Sequence, residues 1–312
     1  MKRLCCLALL AVLLLSGCGK AERFSFSVIE NDAVTQTEAE SGAVLPGRTL
    51  VYTAAGDVFY AENYAVAEAL TGVICDPPAR CVTDAAARAR EALARGERVL
   101  MIYIDGLGWE RFLDAADSGE IPSLAALTAE KCASVYPTIT PVNYAAMVSG
   151  LPPAQNGVSR RGIHTLTSGT IFSDAAAQGL SAFVSEGDSQ ILALPGAEME
   201  LNPDLNRDGT GDDEIFETAM ERLDADVLFV HFHSVDDASH ENGPWSDAAK
   251  AALIRVDGWC GALLDSWDGA VIIAADHGQH DQDGTGDAAY AERRGTHGDF
   301  APSDIFTPFL TR

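Results

Sequence analysis

Val99-Leu100-Met101-Ile102-Tyr103-Ile104-Asp105 is the stretch on which the fold turns: a run of apolar residues with no charged break, closed by a carboxylate. Unbroken β-branched and aliphatic runs of this length read as strands buried on both faces, as in a parallel sheet covered by helices. Two further runs repeat the design. Val227-Leu228-Phe229-Val230 leads through His231 to Asp236, and Val271-Ile272-Ile273-Ala274-Ala275 ends at Asp276. Open α/β sheets gather their chemistry beyond the carboxyl ends of their strands, so each aspartate arrives where a site would be built.

Histidines accompany these carboxylates. His240 follows Asp236 by four residues, which on a helix puts both side chains on one face about one turn apart. His277 follows Asp276 directly, and His297 sits in the glycine-flanked loop Gly295-Thr296-His297-Gly298. Imidazole and carboxylate together suit a borderline cation such as Zn²⁺; calcium or magnesium alone would not call for so much nitrogen.

A nucleophile is available between the first two runs. In Tyr136-Pro137-Thr138-Ile139-Thr140-Pro141-Val142-Asn143-Tyr144, Thr140 before Pro141 reads as an N-cap followed by the first helical residue. That places the Thr140 hydroxyl at the positive end of a helix, where backbone N–H groups also meet an incoming phosphate. Asn143 lies in the same first turn, from which its amide would reach a phosphoryl oxygen.

With these pieces assembled in order, the chain resembles the alkaline phosphatase superfamily, and within it the nucleotide pyrophosphatase/phosphodiesterase branch. The likeness rests on Asp105, Tyr-Pro-Thr-Ile-Thr-Pro-Val-Asn at 136–143, Asp236-Asp237-Ala238-Ser239-His240 with Asn242-Gly243-Pro244, Asp276-His277-Gly278 and Thr296-His297-Gly298. It spans roughly residues 97 to 312. The resemblance implies an α/β fold, a three-layer α/β/α sandwich with a mostly parallel central sheet. It implies that Asp105, Thr140, Asp276 and His277 hold one zinc, that Asp236, His240 and His297 hold a second, and that Asn143 steadies the phosphoryl oxygen. It further implies a small phosphoester substrate and a phosphothreonine intermediate on Thr140. Ile139 and Tyr144 stand where the animal enzymes usually carry lysine and histidine, so a nucleotide preference does not carry over with the metal set. A phosphomonoesterase or a phosphonate hydrolase would use the same metals. The sulfatase nucleophile segment, Cys or Ser-x-Pro-x-Arg, is missing. A solute-binding lipoprotein fits the domain size but leaves the ordered Asp/His set unexplained.

Four histidines stay outside this set. His231, His233 and His280 lie close to ligand aspartates along the chain and His164 lies apart from them; all four read as packing or orienting residues.

Acidic composition narrows the partners. Lys and Arg number 21 against 46 Asp and Glu, a formal charge of −25. Such a surface repels long polyanions and argues against nucleic acid, while bound dications would still make a small site locally positive. The stretch Asp204-Leu205-Asn206-Arg207-Asp208-Gly209-Thr210-Gly211-Asp212 matches the first half of an EF-hand loop, with Asp204, Asn206, Asp208 and Asp212 as candidate Ca²⁺ ligands. Ile215 stands where the bidentate glutamate belongs, so the competing reading is an acidic turn before a helix.

The N-terminus addresses the compartment. Lys2 and Arg3 precede an apolar core from Leu7 to Leu15, then Leu15-Ser16-Gly17-Cys18. This is a signal segment too short to span a membrane, and it ends in a lipobox. Its resemblance to bacterial lipoproteins implies cleavage before Cys18, lipidation of that thiol and an exported protein tethered to the cell envelope. Residues 1–17 are then the signal peptide, 18–47 a flexible acidic tether, and 48–312 the catalytic domain. Of seven cysteines, Cys75, Cys81, Cys132 and Cys260 remain after the signal and the lipid are subtracted. Cys75 and Cys81 are spaced to close a small disulfide loop in an oxidising compartment, and buried thiols are the alternative. If Cys18 carries lipid, wild-type protein should sediment with membranes while Cys18→Ser is released or fails to mature. Cell fractionation decides, and wholly soluble wild-type protein would reject the anchor.

Overall fold

A computed structural model describes residues 80–282, 293–299 and 301–312 with side chains other than that of residue 154, and the backbone of five earlier strands. Those strands are β1 (Arg23–Glu30), β2 (Ala33–Glu40), β3 (Arg48–Tyr52), β4 (Val58–Glu62) and β5 (Gly72–Cys75), joined in the order β2-β1-β5-β3-β4. β1 and β2 lie inside 18–47, where composition predicts a spacer, and β1 pairs with β5 from beyond residue 48. The alternation Phe24-Ser25-Phe26-Ser27-Val28 carries a strand period that the acidic surroundings mask. The lipobox, the signal segment and residues 76–79, through which a Cys75–Cys81 loop would run, lie outside the described residues.

The chain continues through β6 (Arg80–Cys81), β7 (Val99–Ile104), β8 (Thr128–Ala133), β9 (Ala182–Glu186), β10 (Glu198–Leu201), β11 (Val227–Phe232), β12 (Ala270–Ala274), the short pair β13 (His280–Asp281) and β14 (Gly295–Thr296), and β15 (Phe306–Thr311). Apart from β13 and β14, these form one sheet in the order β10-β9-β11-β7-β12-β15-β8-β6. Only β15 runs against its neighbours; the other pairings are parallel. The expected mostly parallel sheet of an α/β fold is what the chain forms.

The three decisive runs become neighbours. β7 sits between β11 and β12, and every residue of β7 and β11 is buried. Alternate side chains feed two cores, one on each face of the sheet. Val99, Met101, Tyr103 and Phe229 pack among the helices Asp84–Ala94, Thr140–Ser149 and Ile171–Ala177. Leu100, Ile102, Ile104, Leu228, Val230 and Phe232 pack under Trp109–Asp117, Asp212–Glu221 and Asp247–Ser266. These are the helical layers of the expected sandwich.

One aromatic stack supports the sheet end that bears the chemistry. Tyr144, on the helix Thr140–Ser149, lies parallel to Phe229 with ring centroids 5.0 Å apart, and Phe172 meets Phe229 edge-on. Tyr103 leans on both Tyr144 and Phe229, and its hydroxyl donates to the Thr140 carbonyl. Phe229 thus fixes the helix whose first residue is Thr140. Replacing it by alanine removes a fully buried ring from under two others and should destabilise the domain by about 3–5 kcal/mol, read from chemical denaturation. A loss below about 1 kcal/mol would show that the stack is not what seats this helix.

Candidate active site

Asp105 directly follows β7, Asp276 follows β12 by two residues, and Asp236 sits in the helix Ser234–Asn242 that begins two residues after β11. Adjacent strands therefore deliver all three to one place. Gly106 makes the approach possible: its φ is +77°, and a Cβ there would lie 2.9 Å from Asp236 Cα. Its N–H donates to Asp276 Oδ1 at 3.1 Å, which ties the loop after β7 to that after β12.

Two clusters follow. In the first, His277 Nε2 lies 3.0 Å from Asp276 Oδ2 and 3.4 Å from Asp105 Oδ1. In the second, His240 Nε2 lies 3.2 Å from Asp236 Oδ2 and His297 Nε2 lies 3.9 Å from Asp236 Oδ1. The His277 and His297 rings stack at 3.5 Å between centroids, so the clusters abut. All the expected ligands from aspartate and histidine converge.

The orientation of the rings is set from behind. Nδ1 of His240 faces the Gly295 carbonyl, Nδ1 of His277 the Gly278 carbonyl, and Nδ1 of His297 the Thr138 carbonyl. A carbonyl only accepts, so each Nδ1 carries hydrogen and each Nε2 is aimed at the carboxylates, as outer partners arrange histidines that bind cations. The His297 loop is itself held, since Asp304 accepts from the Asp299 N–H and from the His280 ring. Gln279 donates to Asp236 Oδ1.

Charges in the cluster are strongly perturbed. Burial drives the Asp105 carboxyl well above the usual range, and the Asp276 and Asp236 charges push it further. Burial also raises Asp276, but His277 outweighs it and holds the group at about 2. For His277 burial works downward and Asp276 wins, raising it to about 10. His297 is pushed down to about 3 by burial and by the neighbouring His277. Among the described residues, Asp105 Oδ1, Asp276 Oδ2 and His277 Nε2 are buried without hydrogen-bond partners. Carboxylates and imidazoles with unpartnered atoms facing one another suit divalent cations.

Thr140 borders a cleft of about 660 Å³ together with Asp105, Arg161, His164, His233 and Asp237. Ile139, not Thr140, is the N-cap, and Thr140 is the first helical residue with Pro141 behind it. The one-residue shift matters, because among the described residues the Thr140 hydroxyl makes no capping bond. The Thr138 hydroxyl is buried and donates to the Asp299 carbonyl.

Asn143 is placed differently from expectation. Its amide donates to the Val135 and Pro137 carbonyls and its oxygen accepts from the Val135 N–H, with the side chain fully buried. It pins the loop that precedes Thr140 and has no hydrogen left for a phosphoryl oxygen. Sequence reading missed Arg161, whose Nη2 lies 3.4 Å from His297 Nε2 at the cleft. No motif marks it; the loop after the helix Pro153–Asn156 brings it there. The Asp212 carboxylate, expected among the calcium ligands, accepts from the His233 and Ser234 N–H groups and caps the helix Ser234–Asn242. Asp204, Asn206 and Asp208 accept amides of their own turn.

A family model described as type I phosphodiesterase / nucleotide pyrophosphatase matches residues 99–293, which hold Asp105, Thr140, Asp236, His240, Asp276 and His277. Among solved structures, murine ectonucleotide pyrophosphatase/phosphodiesterase 5 aligns over 69% of this chain and 88% of its own, at 13% identity and a TM-score of 0.54. The human form aligns over the same shares at 14% identity and a TM-score of 0.54. A comparison with curated proteins finds no match.

The raised groups give a sign for cation uptake. Near neutral pH His277 keeps its extra proton, and a cation bound through its Nε2 must expel it. Titrating stripped protein with Zn²⁺ in buffers of different ionisation enthalpy should therefore show net proton release on binding. Affinity should strengthen as pH rises towards about 10, where His277 loses its proton unaided. Heats that do not depend on the buffer would contradict this charge assignment.

Proposed function

The chain belongs to the type I phosphodiesterase/nucleotide pyrophosphatase family, and from that premise we propose that it is a two-zinc phosphodiesterase or pyrophosphatase, lipid-anchored through Cys18, that works through Thr140. The observation that carries the reading is the convergence of Asp105, Asp276 and His277 beside Asp236, His240 and His297 at a cleft bordered by an uncommitted threonine hydroxyl.

Asp105, Thr140, Asp276 and His277 would hold one zinc, and Asp236, His240 and His297 the other. Bound there, the ions would lower the pKa of the Thr140 hydroxyl and neutralise charge on the phosphoryl oxygens. The remaining work belongs to the protein. The Thr140 Oγ forms a bond to phosphorus as the bond to the leaving oxygen breaks in line, giving phosphothreonine and a released alcohol or phosphate. Water entering from the vacated side then cleaves the phosphothreonine and returns the hydroxyl. The Thr138 hydroxyl is engaged with the Asp299 carbonyl, which favours Thr140 for this role. Arg161 takes the part first expected of Asn143: its guanidinium reaches the cleft beside His297 and offers paired N–H donors to non-bridging oxygens, as arginine does for phosphates.

Turnover of an aryl phosphodiester, run beside the matching monoester, tests the activity. Wild type should favour the diester, carry zinc and lose activity on chelation. Thr140→Ala should lose turnover by orders of magnitude while keeping its fold, whereas Thr138→Ala should remain active. Arg161→Ala should lower kcat by about 10²–10³, the usual loss for one donor to developing negative charge. A Thr140→Ala enzyme near wild-type rate would displace the nucleophile.

A further inference from the structure

A second cavity, of about 230 Å³, lies apart from the reaction: among the described residues it has no lining residue in common with the cleft at Thr140. Its walls come from the first turn of the helix Trp109–Asp117, from Lys131 of β8, from Trp245 ahead of the helix Asp247–Ser266 and from Phe306 at the start of β15. Trp109, Trp245 and Phe306 make much of that wall aromatic. An apolar cavity of roughly 150 Å³ holds a benzene ring, so this one has space for a ring and a small polar head.

Its polar groups specify the head. Arg111 is only 9% exposed, and its Nη2 is buried with no hydrogen-bond partner among the described residues. Arginine is seldom so covered unless an acceptor meets it. On its far side Asp114 and Glu120 line a narrow recess in which Glu120 pairs with Lys250. On the cavity side the Trp245 ring, 54% exposed, stands 5.9 Å from the guanidinium carbon. Lys131 brings a second cation, its ammonium 4.0 Å from the centre of the Phe306 ring. An acceptor is also left over: Gln279 Oε1 is buried and unpartnered among the described residues, while its amide nitrogen is committed to Asp236. Glu110 and Asp281 add two carboxylates to the wall, and His280 is held by Asp304. Groups of both signs therefore line one aromatic-walled space, which neither a simple anion nor a simple cation would satisfy.

We infer that this cavity binds a small zwitterion of the α-amino-acid type with an apolar side chain, its carboxylate on Arg111, its ammonium towards Gln279 Oε1 and Asp281, and its side chain against Trp245 and Phe306. A guanidinium receives a carboxylate through two parallel N–H bonds, and seclusion from water strengthens both. The carboxylates of Glu110 and Asp281 oppose a doubly charged phosphate, so the cavity is not a second phosphoester site. The inference does not depend on the two-zinc reading, because no residue assigned to either zinc lines the cavity.

Calorimetric titration of the full-length protein with L-phenylalanine tests it. Binding should saturate, and phenylacetate, which lacks the ammonium, and phenethylamine, which lacks the carboxylate, should each bind at least about tenfold more weakly, as the loss of a charge-assisted bond requires. Arg111→Gln should weaken phenylalanine binding by about 10- to 100-fold. Because Arg111 is buried, Trp245→Ala at the surface gives a second reading and should weaken binding about tenfold. Arg161→Ala, in the other cleft, should bind phenylalanine as wild type does. An absence of saturable heat with all three compounds overturns the inference, as does phenylacetate or phenethylamine matching phenylalanine. A Trp245→Ala protein of wild-type affinity also overturns it, and loss of binding in Arg161→Ala would place the ligand at the Thr140 cleft instead.

Discussion

Buried negative charge is the constraint around which this molecule is organised. Asp105, Asp236 and Asp276 are gathered at the ends of neighbouring strands in surroundings that disfavour ionised carboxylates. Asp105 and Asp276 are nearly inaccessible to water. Such a grouping persists only with compensating positive charge, supplied by protons on nearby imidazoles or by cations. The surrounding design serves that end: backbone carbonyls fix one nitrogen of His240, His277 and His297 so that the other meets the acids. The sheet is the platform that makes the crowding possible, since parallel strands expose their carboxyl ends side by side.

Much of this was written locally in the chain. The runs ending near Asp105, Asp236 and Asp276 are strands because short apolar stretches have few other ways to be buried on two faces, and their aspartates could be assigned to the site from that fact. The spacing from Asp236 to His240 is helical, and the structure makes it so. Strand order was not legible. Nothing in the sequence says that β9 lies beside β11, and so nothing marks Glu186 as the partner of His231 and His233.

The places where the structure departs from the local reading share a physical cause: they concern polar groups whose partners lie outside their own segment, or a neighbour that composition outweighs. Asn143 sits in the right helical turn for a phosphate, but the Val135 and Pro137 backbone claims its amide. Asp212 has the spacing of a loop ligand, yet it caps a helix more than twenty residues along the chain. Thr140 is one position further into its helix than the Thr-Pro pair suggests, a difference of boundary that frees its hydroxyl. Arg161 carries no local signal at all. For residues 23–40 the acidic composition hid an alternating apolar pattern that forms a hairpin.

The bond from Gly106 to Asp276 joins residues 170 positions apart. Contacts of such separation form late, because the chain between them must first be ordered, and parallel pairing of β7 with β11 and β12 imposes the same delay. The clusters consequently have no half-built version that a folding intermediate would display. β7 alone presents one aspartate, and the others join it only when two long crossovers have closed. The arrangement of these acids and imidazoles is thus a property of the finished chain, so that a cation held there would act as a seal on completed folding and not as a nucleus for it.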